Sequence, residues 1–224
     1  MFLLVTDTSG KHGNVALARA ESKDVTVIDS VPLEGGTFSA QLVPQISALL
    51  NKQRFRKSDV GAFIIVSGPG SFTGLRVGLA AIKALAEILH QPIVPVSLLE
   101  VISTASGVNR RVLAALDAGR GEFYVGEYEV ADAARVGQEQ LLPKDEFLSM
   151  AREIATATPD TALAQLASHS GIRVVLVPMP NAAMIAQVGW QKLQAGQTVS
   201  PEQLEANYIR RSDAEIFAKP VTRP

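Results

Sequence analysis

Ser67-Gly68-Pro69-Gly70-Ser71-Phe72-Thr73-Gly74-Leu75-Arg76-Val77-Gly78 marks the place where an apolar run stops and a helix begins. The residues before it, Val60 to Val66, are almost wholly apolar, the composition of a strand buried on both faces. Glycines at 68, 70 and 74 with Pro69 permit turns closed to other residues, and Ser71 and Thr73 each carry an oxygen able to accept from the free N–H groups of a helix start. Strand, tight loop and helix in that order put the loop at the carboxyl edge of a sheet, where open α/β folds place their ligands. Glycine-rich turns at helix starts present N–H groups to anions, so Gly68, Gly70 and Ser71 are candidate phosphate contacts. The stretch has neither the Gly-Lys-Ser/Thr of a P-loop nor the spacing of the dinucleotide fingerprint, and close packing of the helix on the sheet explains the same glycines.

Outward from this stretch the chain divides into two similar runs. Phe2 to Thr6 reads as a strand, residues 7–14 as a polar turn, Val15 to Ala20 as a returning strand and Val25 to Val31 as a third. Asp7 and Ser9 sit at the strand end, where a carboxylate beside hydroxyls suits a metal–nucleotide as well as a plain Asx turn. Leu42, Ile46, Leu49 and Leu50 recur at helical spacing from Ser39 to Lys52, with Ser39 as the N-cap, and a short strand follows at Ile93 to Val96. A second unit begins after Ser106: an apolar strand at Val112 to Leu116, the turn Asp117-Ala118-Gly119-Arg120-Gly121, and a return at Glu122 to Glu129. Both units open on a strand that ends in aspartate, which points to an internal duplication with domains at 1–106 and 107–224. Residues 131–170 are alanine-rich, with short helices expected at Phe147 to Ile154 and Thr161 to Ser168. A strand at Arg173 to Val177, a helix at Asn181 to Ala195 and a capping-box start at Ser200 to Gln203 complete the reading, with the tail free to pack back on the first domain.

Bulk properties narrow the function classes. A net charge of −1 and a pI near 6.3 give no global field for nucleic acid or an anionic membrane. Zero cysteines leave no disulfides or thiolate metal sites. His12, His90 and His169 are far apart in sequence, without helical partners for a metal. Asp117 and Glu122 bracket a turn, and Arg110-Arg111 and Arg210-Arg211 read as solvated basic pairs. The start lacks a basic leader, and Arg76, Lys83 and Glu87 interrupt the longest apolar helix, so a cytoplasmic chain outside the membrane is expected.

That helix, Leu75 to Leu89, carries Arg76, Lys83, Glu87 and His90 on one narrow stripe, while Leu75, Leu79, Ile82, Leu85, Ala86 and Leu89 cover most of its remaining circumference. A surface helix needs one apolar stripe, so burial on two sides is expected: against the sheet, and against the Ser39–Lys52 helix or another subunit. Gly74, Gly78 and Ala81 form a small-residue ridge suited to close helix approach.

With these residues laid out, the chain resembles the TsaB (YeaZ) family of threonylcarbamoyladenosine biosynthesis. Asp7-Thr8-Ser9, the run Gly68 to Gly78, Asp117-Ala118 with Gly121-Glu122-Phe123-Tyr124, and Tyr208-Ile209-Arg210 are similar to its motifs. Residues 34–39 stand where the family usually has a histidine-containing segment, and the glycine expected before the 161–168 helix is missing. The resemblance implies an α/β fold of the actin-like ATPase type (sugar kinase/Hsp70, ribonuclease H-like) with two related domains, no catalytic residues, and only vestigial nucleotide contacts at Asp7, Ser9, Gly68, Gly70 and Ser71. It implies a non-catalytic partner of a TsaD-like subunit, which transfers threonylcarbamoyl to adenosine 37 of tRNAs reading codons that begin with A. A TsaE-like ATPase joins the pair, ATP/ADP and metal belong to those partner subunits, tRNA is met only through the complex, and the lone chain is expected to form a homodimer. Pairing through N-terminal helices puts the expected interface at Leu42, Ile46, Leu49, Leu75, Arg76, Leu79, Ile82, Lys83 and Ala86. A charge at Leu79 or Ile82 is then expected to abolish pairing and spare the fold. The other classes open to the chain are an actin-like phosphotransferase and a glycoprotease-like metallohydrolase.

Overall fold

The apolar run that precedes the glycines becomes β4 (Val60–Gly68), hydrogen-bonded on both edges to parallel neighbours, β1 (Phe2–Asp7) and β5 (Ile93–Ser97). The computed structural model describes residues 1–129 and 134–210. Antiparallel strands β2 (His12–Glu21) and β3 (Asp24–Glu34) extend the sheet past β1, giving the order β3-β2-β1-β4-β5. The second sheet repeats the plan with β6 (Arg111–Gly119), β7 (Glu122–Glu129), β8 (Ala134–Pro143), β9 (Ala155–Thr158) and β10 (Val174–Leu176), in the order β10-β9-β6-β7-β8. Read from each unit's first strand, the two orders are the same, and each first strand ends near an aspartate, Asp7 or Asp117. This duplication, with helices between the strands, is the actin-like, ribonuclease H-like α/β fold.

The helices make five layers. Outside the first sheet lie α1 (Phe38–Lys52) and α2 (Phe72–Leu89), whose Leu42, Ile46, Leu49, Leu75, Leu79 and Ile82 form one core with Leu4, Phe63 and Ile65. Outside the second lie α4 (Lys144–Ala151) and α5 (Thr161–His169), around Phe147 and Leu163. Between the sheets stand α3 (Leu98–Ala105) and α6 (Ala182–Gln194). These two are exchanged. Leu99 and Ile102 of α3 pack with Val112, Ala114 and Tyr128 of the second sheet, while Ile185, Ala186 and Val188 of α6 pack with Leu3, Val5 and Ile64 of the first. The close fit of α6 rests on Gly189, where a Cβ would lie 2.6 Å from the Ile64 side chain. Lys192 of α6 pairs with Glu100 of α3 at 2.8 Å, both nearly buried. Sequence continuity would put α6 in a 107–224 unit; packing puts it on the first.

Local differences from the sequence reading have local causes. The helix expected from Ser39 begins at Phe38, and the hydroxyl of its flanking residue Thr37 donates to the Glu34 carbonyl at 2.8 Å rather than accepting from the helix. Strands β8 and β9 are additions: β9 is Ala-Thr-Ala-Thr, buried throughout yet too small to register as an apolar run. Ser200 to Gln203 makes one turn and no helix, because Leu204 directly after it is buried in the first core. Asn181 caps α6 as expected, accepting from the N–H groups of Ala183 and Met184. Among the described residues no helix is long and apolar enough to cross a membrane. Arg211 of the second basic pair and the last residues of the tail lie outside the described residues.

Candidate partner-binding face and glycine loop

In the glycine loop the smallness of the residues is used against the protein's own backbone. The N–H of Ser71 donates to the Ser9 carbonyl at 2.7 Å, drawing the loop onto the β1–β2 turn. A Cβ on Gly70 would overlap that carbonyl, and one on Gly74 would overlap the Thr8 carbonyl and crowd the Phe38 ring. Gly68 meets the other neighbour, the C-terminal strap of residues 204–210, where a Cβ would lie 2.7 Å from the Asn207 carbonyl oxygen. Ser71 then caps α2 by accepting from Gly74 N–H at 3.3 Å. The glycine loop and the β1–β2 turn are thus in direct contact.

Asp7 turns inward as well. Its Oδ1 accepts from the Ser9 N–H at 2.9 Å and the Ser9 hydroxyl at 2.6 Å, an Asx turn. Burial pushes its carboxyl above the ordinary range against the pull of these two donors. Asp117, its counterpart, is exposed and accepts from the Gly119 N–H at 2.8 Å. Between the two units lies a cavity of about 480 Å³, walled by Ser71, Phe72, Asp117, Tyr124, Tyr208 and Arg210. Arg210 is already engaged there, with Glu122 at 2.6 Å and against the Tyr124 ring. The basic pair Arg110-Arg111 likewise sends Arg111 to Glu127.

The expected partner residues divide into two groups. Leu42, Ile46, Leu49, Leu75, Leu79, Ile82 and Ala86 are turned toward the first sheet, with Leu79 only 5% and Ile82 0% exposed, so they are core rather than interface. A charge at Leu79 or Ile82 would enter that core, and the expectation that it spares the fold is withdrawn. The small residues Gly74 and Gly78 face Thr8, not solvent. Arg76 is exposed and Lys83 half-buried on one flank of α2. The outward ridge is Arg76, Ala80, Ala84 and Ile88, one residue every four, all exposed and spanning about 18 Å along the helix. Ile88 is 73% exposed, and Val43 on neighbouring α1 is 48% exposed.

The strap ties this helix to the second unit. The N–H of Asn207 donates to the Ser67 carbonyl at 2.8 Å, and its side-chain amide donates to Glu139, which also accepts from the Tyr128 hydroxyl. Burial, and then the charge of Glu139, raise the Tyr128 phenol so that it stays a donor. Tyr208 reaches α2: its ring lies 4.8 Å from Phe72, and its hydroxyl accepts from Arg76 Nε at 3.0 Å.

Comparison with known proteins fits this architecture. The family described as "TsaD: tRNA N6-adenosine threonylcarbamoyltransferase" matches residues 35–216. The chain is 30% identical to the tRNA threonylcarbamoyladenosine biosynthesis protein TsaB of Escherichia coli (strain K12), across 96% of each chain. The chain belongs to the TsaB (YeaZ) family. Another TsaB, from Bacillus subtilis (strain 168), is 27% identical over 96% of both chains. A crystal structure of an uncharacterized Pseudomonas aeruginosa protein with similarity to peptidase YEAZ superposes with a TM-score of 0.72 at 26% identity, covering 93% of this chain and 99% of that one.

In this TsaB-family chain the motifs that carried the resemblance meet in space. Phe72 and Arg76 of the glycine stretch touch Tyr208, and Arg210 touches Glu122 and Tyr124 of the second hairpin. Sequence reading found each motif and missed their contact, since Arg76 and Tyr208 are 132 positions apart and no local pattern joins them.

Proposed function

We propose that this chain is a non-catalytic subunit of the machinery that attaches threonylcarbamoyl to adenosine 37 of tRNAs reading codons that begin with A. In this reading it takes part in tRNA threonylcarbamoyladenosine biosynthesis, as the names of its relatives state for them. It pairs with a TsaD-like catalytic subunit through α1 and α2, forms a homodimer when alone, and is joined by a TsaE-like ATPase. Nucleotide and metal reside on those partners, tRNA is met through the complex, and the chain works in the cytoplasm.

The observation that carries the reading is the outward face of α2. Its core side is satisfied by the first sheet, yet Ala80, Ala84 and Ile88 remain apolar and exposed beside Val43. Alanines let a second helix approach closely, and an exposed isoleucine supplies a knob for its grooves. The contact between the glycine loop and the β1–β2 turn supports a binding role over a phosphotransferase.

Ile88→Asp and Ala84→Asp test this, because both positions are solvent-facing and the substitutions leave the core alone. Co-purification with the cognate TsaD-like subunit is expected to fall below detection while the melting temperature changes little. A tRNA modification assay reconstituted with the variants should drop to the level seen without this chain. Retained association with either variant overturns the assignment of the face.

A further inference from the structure

Arg76 stands at one end of the outward ridge with its side chain held on two sides. Its guanidinium lies over the Phe72 ring at 3.6 Å from the centroid, and its Nε–H is spent on Tyr208. Tyr208 is braced by the same Phe72 ring, so arginine, phenylalanine and tyrosine form one clasp. Among the described residues Arg76 has no carboxylate partner, and the first turn of α2 contains no acidic residue. The positive end of an 18-residue helix and an unpaired cation therefore add in the same place. The two terminal Nη groups are the donors the clasp leaves unused, and in a guanidinium they are spaced to fit a carboxylate. Holding the side chain in advance removes part of the entropy that a free surface arginine loses on pairing.

We infer that Arg76 is a preformed carboxylate receptor at the rim of the partner face, and that the helix seated on Ala80, Ala84 and Ile88 carries an acidic side chain where it passes Arg76. This rests on the proposed pairing with a catalytic subunit and adds the chemistry of the surface that pairs. Charge complementarity selects a protein helix over nucleic acid, since the ridge beside Arg76 is alanine and isoleucine and the next charged residues on that flank, Lys83 and Glu87, are of opposite sign. The strap's tyrosine is then a positioning residue for the receptor.

The test is the dissociation constant of the full chain with the purified cognate TsaD-like subunit, measured from about 50 to 500 mM salt. Arg76→Ala is expected to weaken association about 10- to 100-fold, and Arg76→Lys by less, because it keeps the charge and loses the fork. Tyr208→Phe keeps the ring and loses the acceptor, with about a threefold loss. The unaltered pair should weaken with salt and the Arg76→Ala pair should be nearly flat, which a merely structural role for the clasp would not produce. Unchanged melting curves exclude misfolding, and Arg76→Lys with Tyr208→Phe decide the matter if Arg76→Ala proves unstable. Association within twofold of the unaltered chain for Arg76→Ala overturns the receptor and leaves the pairing standing. Failure of the unaltered chain to bind the subunit overturns both. Loss of tRNA retention by the complex with subunit affinity unchanged also overturns the receptor.

Discussion

The two halves share one strand order and differ in what fills the corner where the first strand ends. In the first half, the β1–β2 turn is pressed under a glycine loop and an 18-residue helix, and Asp7 is held inward. In the second, the corresponding turn is open, Asp117 faces solvent, and the helix after β9 has nine residues. Duplicated topology fixes where a site could form; the side chains at the corner decide whether that corner becomes a cleft, a packing joint or a free edge. Here the first corner became a joint, and the helix above it keeps Ala80, Ala84 and Ile88 exposed on its outer side.

The largest break of this comparison should come from bulk at the joint. Gly74→Val drives a branched side chain into the Thr8 carbonyl and should cost about 3 kcal/mol or more of stability in urea denaturation. Ala162→Val at the exposed start of the second half's helix should cost below about 1 kcal/mol. Equal costs would mean that the corners are alike after all.

Next in size is the bond between the exchanged helices. Glu100→Ala strands the nearly buried Lys192 ammonium and should cost about 2 kcal/mol. Because α3 and α6 each cover the other half's sheet, the loss should shift one cooperative transition; two separate transitions would show that the halves are independent.

The smallest effect sharpens the contrast of the two aspartates. Burial raises the Asp7 carboxyl in the folded state, so between its unfolded and folded values the native protein binds more protons than the unfolded chain. Its contribution to stability therefore falls as pH rises through that window and is least favourable above the folded value. Asp7→Asn should flatten the stability profile at pH values above the ordinary carboxylate range, while Asp117→Asn, at an exposed turn, should change stability by no more than about 0.5 kcal/mol. A profile unchanged by Asp7→Asn would show that the Ser9 donors outweigh burial.

What the sequence made legible was local. Strand, glycine loop and helix, the Asp7 and Asp117 hairpins, and the Asn181 cap all follow from neighbours in the chain. Periodicity counts Leu79 and Ala80 alike as apolar and so does not tell which of them faces the sheet. The sheet takes the larger side chains, which bury more surface, and the alanines are left outside. The seating of α6 against Leu3, Val5 and Ile64 and the Tyr208–Arg76 contact each join residues more than a hundred positions apart, where pattern carries no signal.

The exchange of the two helices has a consequence for synthesis on the ribosome. The strands of the first sheet are complete once Ser97 has been made, yet the face carrying Val5, Ile64 and Val96 has only Val101 and Leu98 of α3 to cover it until α6, residues 182–194, emerges. The amino-terminal half therefore cannot finish folding ahead of the rest, as consecutive domains commonly do. A nascent chain stalled before residue 182 would expose an apolar sheet face, and a gene split at the repeat boundary would yield two fragments that each lack a wall.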